Sequence, residues 1–478
     1  MRATRAVRRP TMTGAGGVRD AVNDFAGRSP SRFAILVFAV LILVFTLLFS
    51  LPIATVTRTV TPLADALFTA VSVICVTGLS TVDMATHWSV FGHILVYLGV
   101  QIGAVGVLTM ASILGLVVSR KLGLRAKLMA ASDSNPLRLH SGPVAEGQAV
   151  RLGEVGKLLT TVALSLVVIE GVVALLLFPR MLIAGIPLGT AAWESLYCAA
   201  MAFTNTGFAP NVEGLTAFQE DFWFLGALMI GVFLGAIGFP VILAIAMNLR
   251  KRRRRWSIHV KLTLLTSVIL LVAGTVLYIV LEFDNPKTFG RLDVGHTIFQ
   301  SLFLSTMSRS GGFATIQISD LHGSSLLVTD MLMFIGGGSA STAGGIKVTT
   351  FAVLLLAALA EARGVDSMDA FKRRIPIDVL RLSVAVALWG ATIVAVSSAI
   401  ILQITKAPLD HVLFDVISAF ATCGLSTGLT EKLPDAGVYV MAATMFCGRV
   451  GTVTLAAALA QSQRRRLFQN PEERPLVG

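Results

Sequence analysis

Residues Met333 to Lys347 read Met-Phe-Ile-Gly-Gly-Gly-Ser-Ala-Ser-Thr-Ala-Gly-Gly-Ile-Lys, a run of small and polar residues between two strongly apolar stretches, Leu326 to Ile335 and Phe351 to Leu359. Glycine at this density disfavours helix because it has the most backbone freedom to lose, and Ser and Thr add little helix propensity. The apolar flanks nevertheless have the composition of membrane-spanning helix. A helix broken at membrane depth accounts for both. Lipid offers no partner to the N–H and C=O groups that such a break releases, so the unwound chain must be buried in protein or line a water-filled cavity. A flexible interdomain linker explains the glycines but not their flanks. A Walker phosphate loop is excluded by Ile346, which separates Gly345 from Lys347.

Composition agrees. Of 478 residues 55% are hydrophobic and only 14% charged, with a mean hydropathy of +0.79, too few polar side chains to cover a soluble globule of this size. The net charge of +12 would suit nucleic acid, but its placement argues otherwise. Thirty of the 39 Lys and Arg fall in five segments, 1–32, 119–157, 250–261, 363–381 and 464–474. The positive-inside rule puts all five, and both termini, in the cytoplasm of a multi-pass cell-membrane protein. Arg58, Arg180, Lys287, Arg291, Lys406 and Lys432 fall on the other side, which leaves Arg309, Lys347 and Arg449 for the membrane. The first apolar run, 33–51, is too long for a signal-peptide core and reads as a spanning helix. Cys75, Cys198, Cys423 and Cys447 lack paired spacing, so neither a disulfide framework nor a zinc site is implied.

Between the basic N-terminus (1–32), the linkers 119–154, 249–257 and 362–376, and the C-terminus (462–478) lie four blocks, 33–118, 155–248, 258–361 and 377–461. Each is expected to hold two outer helices, 33–51 and 88–118, 155–178 and 221–248, 258–281 and 326–361 (broken over 336–345), 377–404 and 436–461. Every linker is basic, so each block must leave the cytoplasm and return to it, and the short segment in its middle cannot cross.

Those middle segments repeat. Ala66-Leu67-Phe68 leads to Val76-Thr77-Gly78-Leu79, Ser195-Leu196-Tyr197 to Asn205-Thr206-Gly207-Phe208, Ser301-Leu302-Phe303 to Ser310-Gly311-Gly312-Phe313, and Leu413-Phe414-Asp415 to Thr422-Cys423-Gly424-Leu425. One Thr-Gly pair alone is an ordinary turn, but four at matching positions indicate one supersecondary unit used four times. The stretch before each glycine has the length of a helix that stops half-way through the bilayer, with its partly negative carbonyl end facing inward. Such ends suit a cation. A ring of backbone carbonyls can replace the hydration shell of a monovalent ion, and glycine lets the backbone turn them inward.

At these residues the chain resembles the Trk/Ktr/HKT superfamily of potassium transport subunits, closest to the KtrB type, over about residues 30–465. The glycine-rich stretch resembles that family's gating loop, although many relatives have Ser-Pro-Gly where this chain has Gly338-Ser339-Ala340. Met445-Phe446-Cys447-Gly448-Arg449-Val450-Gly451-Thr452 matches a further family motif. The resemblance implies an all-α polytopic membrane protein of four M1–pore helix–M2 repeats in pseudo-fourfold arrangement around one pore. It implies a potassium filter at Val76, Thr77, Gly78, Asn205, Thr206, Gly207, Ser310, Gly311, Gly312, Thr422, Cys423 and Gly424. It also implies a gate at Gly336, Gly337, Gly338, Ser339, Ser341, Thr342, Gly344, Gly345, Lys347 and Arg449, in which Arg449 neighbours the loop carbonyls. Potassium would be the substrate, with no covalent cofactor. A homodimer in membrane lipid is implied, with nucleotide bound only on a separate cytoplasmic ring of KtrA-type regulatory subunits.

Asp65, Glu194 and Asp415 admit two readings, an acidic ring at the outer mouth or braces for the pore helices. Arg309 is expected to orient the third filter segment through hydrogen bonds. His87, His93, His296 and His411 show no ligand spacing. Two competitors come from other classes. An embedded enzyme would need converging His, Cys or carboxylate groups, and a transporter of two inverted halves conflicts with a fourfold repeat. Within the superfamily the alternative is a sodium-selective or sodium-coupled member; the four retained filter glycines, Gly78, Gly207, Gly312 and Gly424, stand against sodium selectivity and leave coupling open.

Overall fold

A computed structural model of the chain describes residues 30–121, 152–210, 215, 218–248, 256–365 and 367–451. Among them the first block supplies α1 (Pro30–Phe49), α2 (Leu63–Ile74) and α3 (Val90–Lys121). The second supplies α4 (Leu152–Ile183), α5 (Leu188–Thr204), α6 (Phe222–Ile237) and α7 (Phe239–Asn248). In the third are α8 (Ile258–Glu282), α9 (Val294–Met307), α10 (Gly323–Phe334) and α11 (Val348–Ala362). The fourth has α12 (Ile377–Thr405), α13 (Leu409–Ala421) and α14 (Asp435–Phe446), the last running into a π-helical turn, Cys447–Gly451. The one departure from helix among the described elements is a hairpin of two-residue strands, Asp369–Ala370 paired with Arg373–Arg374.

The four short helices α2, α5, α9 and α13 start where the chain forbids an earlier start. Pro62, Pro187 and Pro408 occupy the N-cap of three, with the fixed φ and missing donor that proline brings to a helix entry. The fourth is capped by Asp293, whose carboxylate accepts from the N–H of Gly295. All four bury their second halves, whereas α1, α4, α8 and α12 present Leu43, Leu47, Leu175, Val276, Val280 and Leu388 outward. Apolar side chains outside and Ser, Thr and Asn inside is the distribution lipid requires. By length and hydropathy Val162–Ile183, Ile258–Glu282 and Ile377–Thr405 are each able to span a bilayer.

Packing links the blocks in order. The outgoing helix of each lies against the short helix of the next: α3 on α5, α6 on α9 and α10 on α13. The last closes on the first, α14 on α2.

The sequence reading expected one helix over 221–248, and the structure corrects it. The chain bends by 103° at Gly238, whose φ is +89°, between α6 and α7. Pro240 is the physical reason. A continuous helix would have the N–H of residue 240 donate to the carbonyl of Ala236, and proline has no N–H to give. That orphaned carbonyl instead accepts from the N–H of Gly338 at 2.7 Å, inside the glycine-rich loop. The N–H of Thr342 donates to the Gly235 carbonyl (3.4 Å) and that of Phe239 to the Ala340 carbonyl (3.2 Å). Two broken helices thus satisfy each other's released backbone groups where lipid could not.

Candidate functional site

The four short helices end in the same backbone turn. Val76 and Gly78 have φ of +57° and +91°, Asn205 and Gly207 +61° and +81°, Ser310 and Gly312 +81° and +75°, and Thr422 and Gly424 +47° and +97°. The residue between each pair (Thr77, Thr206, Gly311, Cys423) keeps negative φ. In an ordinary strand successive groups alternate in direction, and changing the sign of φ at every second residue breaks that alternation. The turns are held by bonds back into their helices: Thr77 N–H to the Ser72 carbonyl (2.7 Å), Thr206 to Met201 (2.9 Å), Gly311 to Met307 (2.7 Å) and Cys423 to Ser418 (2.9 Å). In the first and fourth blocks a serine hydroxyl also accepts from the glycine N–H, Ser72 for Gly78 (3.2 Å) and Ser418 for Gly424 (3.1 Å).

These turns meet. A Cβ placed on Gly78 would stand 1.7 Å from the carbonyl oxygen of Thr206, one on Gly207 2.5 Å from the Cα of Gly312, one on Gly312 2.6 Å from the Cys423 oxygen, and one on Gly424 2.6 Å from the Thr77 oxygen. Each glycine is therefore favoured on two grounds, its φ and the backbone of another block packed against it, which any side chain there would have to displace. Every residue of the expected filter lies in or beside this cluster. One carbonyl is already engaged, because the Ser310 hydroxyl donates to the Thr422 oxygen at 3.1 Å and occupies one of its lone pairs.

Beneath lies the glycine-rich loop between α10 and α11. Its ends return to each other, the N–H of Ile346 donating to the Phe334 carbonyl (3.3 Å) and that of Val348 to the Gly337 carbonyl (3.0 Å). Between them residues 336–338 and 341–346 are buried. Gly344 fits under the fourth turn, where its Cβ would be 2.1 Å from Thr422 Oγ1. Arg449, 2% exposed on the π-helical turn, donates from Nη1 to the Thr342 carbonyl. That turn lies close on α13, since a Cβ on Gly448 would be 1.8 Å from the Phe420 oxygen. Lys347 Nζ donates to the carbonyls of Ala343 and, at 3.4 Å, Gly344, so it closes the loop at the start of α11. Ser339 shares a 2.8 Å hydroxyl bond with Thr349, and Ser341 is buried.

Among the other residues singled out, Arg309 turns away from the glycine cluster and donates to the carbonyl (2.8 Å) and hydroxyl (3.1 Å) of Ser267 on α8. Asp415 is a brace. Its carboxylate accepts from Ser426 Oγ, from the N–H and hydroxyl of Thr427, and from the N–H and hydroxyl of Thr430, between 2.7 and 3.0 Å. Asp65 holds one such bond, from Thr81 Oγ1 (2.7 Å). Three buried carboxylates escaped the sequence reading because each stands alone in an apolar helix. Glu170 on α4 accepts from Gln101 Nε2 on α3 (2.6 Å); Glu282 gathers Asn285, Thr288 and the His322 N–H; and Asp330 lies on α10, which packs on α13. The ring of His322 sits 2.9 Å from the Leu281 carbonyl, which raises its pKa above the ordinary value, Glu282 adding to the effect. The basic stretch Arg250–Arg255 and most of 119–157 lie outside the described residues.

A family profile for TrkH, described as a cation transport protein, matches residues 23–466. The chain belongs to that family. TrkH family relatives include the Ktr system potassium uptake protein B of Vibrio alginolyticus, 33% identical over 96% of this chain and 98% of that protein. The protein of the same description from Bacillus subtilis is 30% identical over 94% and 97%. The potassium/sodium uptake protein NtpJ of Enterococcus hirae is also 30% identical, over 94% and 97%. The crystal structure of the potassium transporter TrkH from Vibrio parahaemolyticus shares the fold, with a TM-score of 0.69 over 90% of this chain and 84% of that one at 17% identity. The chain is accordingly a multi-pass membrane protein of a cation transporter family.

Proposed function

We propose that this TrkH family member is the pore-forming subunit of a potassium uptake system in the cell membrane, with both termini in the cytoplasm. The observation that carries the reading is the meeting of four like-shaped glycine turns, one per block, with the carbonyls of Thr77, Thr206 and Cys423 against glycines of other blocks. Four carbonyl-bearing turns at the inner ends of four half-length helices are the means by which a dehydrated monovalent cation is held. The closed packing order of the blocks supports a pseudo-fourfold ring of M1–pore helix–M2 repeats around one path. Potassium is the transported substrate, coordinated by filter residues 76–78, 205–207, 310–312 and 422–424.

The loop 336–345 is the gate, held across the path by Arg449, with Lys347 at its cytoplasmic end. The chain works as a homodimer with a KtrA-type cytoplasmic ring, any nucleotide being bound by the ring; the relatives' names, which place them in a Ktr system, support other components alongside it. The alternative is sodium-selective or sodium-coupled transport, for which the NtpJ relative's name is the observation. Expression in a strain that lacks its own potassium uptake tests the reading. Growth on limiting potassium without added sodium supports it, growth only with sodium favours the alternative, and no rescue by a membrane-inserted protein co-expressed with a KtrA-type ring rejects both.

A further inference from the structure

The N–H, carbonyl and hydroxyl of Thr342 each bond to a different element. Its N–H is on the Gly235 carbonyl at the broken end of α6, its carbonyl accepts from Arg449, and its hydroxyl lies 2.9 Å from Asn205 Oδ1 and 3.1 Å from the Phe203 carbonyl. Asn205 is at once the cap of α5 and the first residue of the second glycine turn, with φ of +61°. The Asn205 amide is fixed from both sides, because Nδ2 donates to the Val232 carbonyl at 3.3 Å while Oδ1 accepts from Thr342. Both side chains are fully enclosed, Asn205 at 0% and Thr342 at 1% exposure.

We propose that Thr342 couples the loop to the filter through Asn205, so that the position of the loop sets ion selectivity as well as flux. The inference rests on the reading of 336–345 as gate and of the glycine turns as filter. Any displacement of the loop takes the Thr342 hydroxyl with it and leaves the Asn205 oxygen to find another donor, a protein group or water from the path, because a buried polar group does not stay unpaired. The amide then turns toward that donor. Asn205 immediately precedes Thr206, whose carbonyl stands against Gly78, Gly312 and Gly424, so reorientation at Asn205 acts on the oxygen shared by the other three turns. Only the second of the four turns carries this amide; Val76, Ser310 and Thr422 stand at the matching positions.

The test compares three variants of the full chain in proteoliposomes, reading the potassium-to-sodium permeability ratio from bi-ionic reversal potentials and the flux separately. Thr342→Val keeps the shape and removes the donor, Thr342→Ser keeps the donor, and Asn205→Gly keeps the positive φ and removes the amide. Thr342→Val and Asn205→Gly are expected each to lower the ratio about five- to tenfold, the effect of one buried hydrogen bond. The double variant should be no worse than either single, and Thr342→Ser should hold the parent ratio. A parent-like ratio in both single variants overturns the coupling even when flux rises, and leaves the gate reading intact. The gate reading fails on a different measurement, unchanged flux after deletion of the loop. Should Thr342→Val not assemble, Thr342→Ala, which also removes the donor and leaves the filter sequence untouched, decides the matter by the same ratio.

Discussion

The guanidinium of Arg449, carried by the π-helical turn of the fourth block, donates to the carbonyl oxygen of Thr342 in a loop that belongs to the third. Its Nε and Nη2 have no hydrogen-bond partner among the described residues. An arginine in a membrane interior is costly unless it faces partners or an aqueous path, and here a buried positive charge with two uncommitted donors stands beside the loop. A π turn widens the helix by one residue and is a recurrent device at functional sites. It carries Arg449 toward the loop while Gly448 lets the turn sit against the Phe420 carbonyl.

Replacing Arg449 by Gln, which can still donate one neutral hydrogen bond, is expected to raise potassium flux through the unregulated protein about five- to tenfold. A charge-assisted bond becomes a neutral one, a change of about 1–1.5 kcal/mol in favour of the displaced loop. Vesicle uptake of a potassium tracer measures it. Flux equal to or below that of the parent, in a correctly assembled variant, separates Arg449 from gating.

Gly312→Ser and Gly424→Ser bear on the filter. Each substitution imposes a backbone cost of about 1–2 kcal/mol at positive φ and pushes a Cβ against the carbonyls of Cys423 or Thr77. The expected result is a protein that still assembles but whose potassium preference over sodium falls about tenfold. Bi-ionic potentials that match the parent in both variants would remove these turns from the filter.

For Asp415 the geometry distinguishes a brace from an outer acidic ring. Asp415→Asn sets an amide nitrogen against donors that now all meet a carboxylate, at an expected cost of about 2–4 kcal/mol. Asp65→Asn disturbs a single bond from Thr81 and should cost about 1 kcal/mol. Thermal unfolding in detergent checks the pair; equal small shifts would mean that the five bonds at Asp415 contribute little. Ion affinity should follow stability rather than charge, since this carboxylate is enclosed by its own loop.

How much of this was legible in the chain differs by element. The glycine-rich break and the four turns were, because glycine at fixed spacing in apolar sequence is a local signal that needs no tertiary information. The bend at Gly238 had a signal that hydropathy concealed: Gly238-Phe239-Pro240 breaks a helix, but the apolar run continues across it. Its partner was invisible, since the bond from Gly338 to the Ala236 carbonyl joins residues about a hundred positions apart. The same holds for Thr342 and Asn205, whose side chains meet only once two blocks have packed. Glu170 and Asp330 carry no local pattern at all.

The loop itself offers the most direct test. It is held on one side by three backbone hydrogen bonds with the α6–α7 break and on the other by Arg449. Its ends meet where the Ile346 N–H donates to the Phe334 carbonyl, so the excised segment begins and ends at neighbouring points of the chain, although the Val348 bond to the Gly337 carbonyl is lost with it. Deleting Gly337 to Ala343 also deletes the donors that satisfy Ala236 and Gly235, whose carbonyls then have to take water from the path. A permeation route has that water; a packed interior does not. If 336–345 obstructs the pore, the deletion protein is therefore expected to assemble, lose no more than about 1–3 kcal/mol of stability, and carry potassium faster than the parent with less dependence on a regulatory ring. Single-channel current or tracer uptake, with and without the regulator, gives the answer. An assembled deletion protein that conducts no faster makes the loop structural packing and puts the gate elsewhere. A deletion protein that cannot assemble at all, while Arg449→Gln conducts like the parent, leads to the same conclusion by the second route.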